Sequence, residues 1–163
     1  MNYHDKARIQ PSGDKPRHGG QNQDTDPSKE LEEILKQIDV ANPSRDLFDA
    51  IAEQAAKTIA ESGRRNDCNK STQLRRFYDE IVMWDQRIRQ NKDEYGKFLP
   101  LIKMLNAKAA YAAGRKPKLV DEHFVGLLHH GLGQLTPEQP RIFENFKLFM
   151  EAFMGFYKLH GPK

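Results

Sequence analysis

The chain of 163 residues has one cysteine, Cys68, and one tryptophan, Trp84. A single thiol excludes an internal disulfide and a cysteine-based zinc site, and it fits a reducing compartment such as the cytoplasm. No apolar run approaches the roughly 20 residues that a membrane-spanning helix needs. The opening MNYHDKARIQPSGDK lacks the hydrophobic stretch of a secretory signal. A phosphate-binding glycine loop, a GxGxxG fingerprint and a nucleophile elbow are all missing. His123, His129 and His130 come with no HExxH pattern and no further ligands at zinc spacing, so no metal or other cofactor is expected. Asp79, Asp85 and Glu144 are accounted for as charges on helix faces. No segment alternates with period two and carries the β-branched enrichment of a strand, and no repeat of solenoid length is present. These absences point to an all-α protein that binds or assembles and is not an enzyme.

Hydrophobic residues make up 37% of the chain and mean hydropathy is −0.81, so part of it is expected to stay unpacked. The net charge of +3 hides an asymmetry. Residues 24–62 hold four Lys/Arg against ten Asp/Glu, whereas residues 69–163 hold sixteen against ten. A basic half of this kind suits nucleic acid or acidic protein partners. The chain therefore divides into a disordered tail over 1–25, an acidic helical extension and linker over 26–68, and a helical bundle domain over 69–163.

Asp26-Pro27 marks the first helix, with Leu31, Ile34, Leu35 and Ile38 on one face, ending near Val40. Asn42-Pro43 repeats that start signal for a second helix through Leu47, Ile51, Ala55 and Ile59, closed by Gly63. GRRNDCNK then reads as a polar linker with a free thiol. Ser71 caps a third helix to about Asn91, with Leu74, Phe77, Ile81, Trp84 and Ile88 on its inner face. Its spacing allows the pairs Arg75–Asp79 and Arg76–Glu80, each worth about 0.2–0.5 kcal/mol, and leaves Lys70, Arg87 and Arg89 less committed. A helix from about Leu119 to His130 ends at Gly131 and Gly133. The last opens on the capping box Thr136-Pro137-Glu138-Gln139. It carries five of the nine phenylalanines, which makes it the expected centre of a compact bundle of about five to six helices.

The stretch Pro100–Val120 contains no acid but five cations: Lys103, Lys108, Arg115, Lys116 and Lys118. On a helix beginning at Pro100 and stopping at Gly114, Lys108, Tyr111 and Arg115 form one stripe. Ile102, Leu105, Ala109 and Ala112 form another. The apolar stripe is expected to join the core while the basic one, with its aromatic ring, stays outside, where it could meet a polyanion. An ordinary solvated face has the same pattern, and cations at a helix C-terminus are also favoured by the peptide dipoles.

The segments STQLRRFYDEI, FLPLIKMLNAKAAYAAGR and FENFKLFMEAFMGFYKLHG, in this order and separation, resemble the small subunit of type III-A CRISPR effectors, the Csm complex. The likeness covers about residues 69–163. It implies a non-catalytic helical subunit, present in several copies that form an inner filament beside guide RNA and target RNA, together with the backbone and large subunits, in antiviral defence. By match to those motifs, Arg75, Arg76, Lys108, Arg115 and Lys147 are the positions carried over. Lys70, Arg87, Lys103, Tyr111, Lys116 and Lys118 complete the expected RNA-backbone contacts, made without sequence specificity. Two alternatives stay open: a helix-turn-helix DNA-binding regulator, and a protein adaptor that binds no nucleic acid.

Overall fold

The computed structural model describes residues 26–162, so the tail assigned to residues 1–25 lies outside the described residues. The fold is all-α, with no strand among the described residues. Its helices are α1 (Pro27–Gln37), α2 (Ala52–Asn66), α3 (Ser71–Gln90), α4 (Tyr95–Lys103), α5 (Leu105–Gly114), α6 (Glu122–Gly133) and α7 (Pro140–His160). Only Met104 separates α4 from α5.

The Phe-rich α7 is the centre, as its wide apolar arc requires. Phe143, Phe146, Phe149, Met150, Phe153 and Tyr157 are all buried, and α7 packs most extensively on α2 and then on α3. The α2 face presents Ala52, Ala55, Ala56, Ile59 and Ala60, small side chains that allow close approach. α5 packs on α6, and α1 packs on α2 and α6. One hydrophobic cluster spans all of these, from Ile34 on α1 to Tyr157 on α7. The segment after α1 is tied down by side chains: Gln134 bonds both Ile38 O and Val40 N at 2.8 Å, and Asn145 donates to Val40 O at 2.9 Å.

Several boundaries differ from the local sequence signals. The second helix does not start at Pro43; it begins with a π-helical turn, Leu47–Ile51, that buries both of those residues. It also runs past Gly63. A Cβ on Gly63 would lie 2.8 Å from Cys68 O and 2.9 Å from Asn69 Cβ, so this glycine permits a close return of the chain and does not stop the helix. The reversal itself is made by Asp67 (φ 48°) and Asn69 (φ 55°), residue types that tolerate the left-handed region. The supposed linker is therefore half helix and half tight turn. Cys68 is buried, and burial together with the charge of Asp121 pushes its thiol up to about 11.

Gly131 similarly lies inside α6, where a Cβ would fall 2.5 Å from the Phe146 ring. Ser71 is the first residue of α3, after Lys70 as a cap without a side-chain bond. Pro100 sits inside α4, which already starts at Tyr95. Thr136 does not cap α7: its Oγ1 is buried with no hydrogen-bond partner among the described residues, and the helix starts at Pro140. Proline suits a first helical position and pushes the residue before it out of the helical region, so Gln139 becomes the cap.

Candidate nucleic-acid interface

The two stripes read from Pro100–Val120 form as expected. Ile102, Leu105, Ala109 and Ala112 are buried, and Tyr111 stands 73% exposed. Lys108, Tyr111 and Arg115 face α3, which contributes Gln73, Arg76, Phe77 and Glu80 at helical spacing. Together with Ala112 and Leu119 they line a groove of about 220 Å³. Phe77 is fixed there by an edge contact on Phe124, with ring centroids 5.3 Å apart.

The charges in this groove are paired otherwise than intrahelical spacing suggests. Glu80 does not pair with Arg76; its Oε1 lies 2.6 Å from Lys108 Nζ on α5. Arg76 is consequently left with no ion pair among the described residues, and Arg115 likewise. Arg115 occupies the C-cap of α5 in extended conformation, where its charge also complements the helix end. The groove thus carries three cations and one acid, with two arginines uncommitted.

The other expected contacts are elsewhere or already engaged. Lys70 is 2.7 Å from Asp67, Arg75 is 3.6 Å from Asp79, Lys118 is 3.8 Å from Glu122 and Lys147 is 2.8 Å from Glu151. The Glu151 carboxylate raises the affinity of Lys147 for its proton. Arg89 is committed too, 2.9 Å from Asp85. Arg75 lines a different groove, with Tyr78, Met154 and Lys158 between α3 and α7. Arg87 lies over the Trp84 ring at 5.1 Å, on the same α3 stripe as Arg76 and Glu80 but farther along. Lys103 and Lys116 are exposed and line none of the grooves described here. The structure therefore brings together Arg76, Lys108, Tyr111 and Arg115, and adds Gln73, Phe77, Glu80 and Leu119. Phe77 reads as core from its periodicity, and nothing local marks it as a groove floor.

A second polar cluster surrounds Asp121, the N-cap of α6. Its Oδ1 accepts from the amides of His123 (3.1 Å) and Phe124 (3.2 Å). Its Oδ2 accepts from the Ser62 hydroxyl and from Asn66 Nδ2. Burial pushes the Asp121 carboxyl up, but hydrogen bonds from Ser62, Asn69 and the Phe124 amide outweigh it and hold the group below the usual range. His123 Nδ1 lies 2.7 Å from Ser62 Oγ, and its Nε2 lies 3.1 Å from Ser28 Oγ on α1. Serine, histidine and aspartate meet here, but the serine stands between the other two. In a nucleophilic triad the histidine is in the middle and takes the serine proton. None of the three grooves described includes this cluster, which ties α1, α2 and α6 together. Among the described residues no three His, Cys, Asp or Glu are placed to hold a metal, and no helix is long and apolar enough to cross a membrane.

A family model described as Csm2 Type III-A matches residues 42–163. The match begins before the resemblance at residue 69 and takes in α2, in keeping with the packing of α2 on α7. Searches of curated proteins and of solved structures gave no significant match.

Proposed function

The chain belongs to the Csm2 type III-A family of CRISPR small subunits, and from that membership we propose that it holds the guide or target RNA backbone within a type III-A complex. The observation that carries this reading is the α3–α5 groove, where Arg76 and Arg115 face outward without a counter-charge among the described residues. Phosphates supply that counter-charge. Contacts of this kind position a strand without reading its sequence. α5 supports this by exposing Ala107 and Ala110, which offer no hydrogen bonds to base edges. The helix-turn-helix alternative loses ground for the same reason. In this reading the subunit is a scaffold in the cytoplasm with no catalytic step of its own. Copies of it associate into an inner filament and contact the backbone and large subunits.

Salt titration of binding to unrelated single-stranded RNAs tests the mechanism. Log affinity should fall linearly with log salt, at about −0.7 per phosphate contacted, and Arg76→Glu/Arg115→Glu should flatten the slope by about 1.4. Retention of RNA by the assembled complex with that double variant, at unchanged salt dependence, would instead favour a pure adaptor.

A further inference from the structure

We propose that the α3–α5 groove takes one unstacked RNA base, with Tyr111 as its stacking platform; this rests on the RNA-backbone reading and adds to it what the strand places between the arginines. The floor is the argument. Phe77, Ala112 and Leu119 are apolar, and a phosphate gains nothing from such a surface, because covering it with a hydrated anion only strips water from the charge. The face of a base covers that surface and keeps its polar edge for the rim. There the Gln73 amide offers a donor and an acceptor.

Tyr111, 73% exposed as a residue, stands at the lip. An exposed ring beside cations is the arrangement on which single-stranded nucleic acid stacks, and it is tolerant of sequence because every base has a π-face. Size agrees: 220 Å³ is below the range of about 300–1,000 Å³ for small-molecule pockets, and suits one ring system better than a whole cofactor. Arg76 and Arg115 then take the phosphates on either side of the inserted base. A strand whose bases are all stacked in a duplex has none to insert, so the groove selects RNA with a base free to turn out.

The test uses the full 163-residue chain with three ligands: an oligoadenylate, an abasic ribose-phosphate strand of equal length and charge, and a perfectly paired duplex. Oligoadenylate should bind about five- to tenfold more tightly than the abasic strand, as expected for one stacked base. Tyr111→Ala should weaken oligoadenylate about five- to tenfold more than it weakens the abasic strand, with the melting temperature unchanged. Equal affinities for the oligoadenylate and abasic strands, with salt dependence intact, overturn the base groove and leave the backbone reading standing. So does Tyr111→Ala weakening both strands alike, or a duplex binding as tightly as oligoadenylate. If Arg76→Glu/Arg115→Glu changes the affinity of neither single strand, the backbone reading falls and the base groove with it.

Discussion

Arg115 and Asp121 lie six positions apart, yet they belong to opposite kinds of polar cluster. At the head of α6 the carboxylate of Asp121 is buried and every neighbour is a donor: Ser62, Asn66 and two backbone amides. In the α3–α5 groove the cations are at the surface, and Arg76 and Arg115 have no acid to meet among the described residues. The difference follows from desolvation. A buried charge is tolerated only when the fold brings its partners along, whereas an exposed one keeps water and can wait for a partner from outside. Charges that build this protein are thus recognisable by being satisfied, and those left over are the ones the proposed function assigns to a polyanion.

The comparison breaks first at Asp121. Asp121→Ala removes an N-cap, worth about 1 kcal/mol, and orphans buried donors at about 1–3 kcal/mol. The expected loss is about 2–4 kcal/mol in urea unfolding, by these same terms. RNA affinity measured well below the melting temperature should stay at the wild-type value. A variant with full stability would show that the cluster is incidental, and a folded variant with lost RNA affinity would show that the two clusters are not separate.

Acid should expose the same contrast more gently. The folded-state carboxyl of Asp121 is held below its ordinary range, so its contribution is complete above the unfolded value and disappears as pH falls through the folded one. Stability should therefore decline below about pH 4, and Asp121→Asn should flatten that decline while still capping α6 in part. Glu53 beside His160 and Lys57, Glu61 beside Arg64 and Arg65, and Asp67 beside Lys70 are also held low. They sit at the surface, where such pairs contribute little. An acid limb unaltered by Asp121→Asn would move the effect onto those surface pairs.

What the sequence made legible followed the same division between local and long-range partners. The buried stripes of α3, α5 and α7 were visible because helical periodicity is a local signal, and the exposed stripe Lys108–Tyr111–Arg115 came with them. The pairing of its charges was not. Glu80 sits four residues from Arg76 and twenty-eight from Lys108, yet it bonds the lysine, which reaches it across the groove at 2.6 Å, and a pair along one helix is too weak to hold it otherwise. Arg75 and Arg76 are neighbours in sequence but line different grooves. The Asp121 cluster draws on Ser62 and Asn69, more than fifty residues away, and no spacing rule reaches that far. Gly63 and Gly131 misled for a related reason. Each makes room for a distant chain segment, and from local sequence alone that use is indistinguishable from a helix stop.

The finest test lies inside the groove itself, at its one acid. Glu80 is held 2.6 Å from Lys108, with side-chain exposures of 22% and 51%, so it neutralises a cation at the groove surface. On the proposed path of the strand, Glu80→Gln removes a charge of the same sign as the phosphates and frees that lysine. A partly exposed pair of this kind is worth at most about 1 kcal/mol to the fold, so the melting temperature should hardly move. RNA affinity should rise by about three- to fivefold at moderate salt, and the salt slope should steepen by about 0.7 if Lys108 gains one phosphate. An unchanged affinity and slope would mean that the strand does not pass this groove. The unpaired arginines would then be a solvated face after all, and being left over would no longer mark a charge as available.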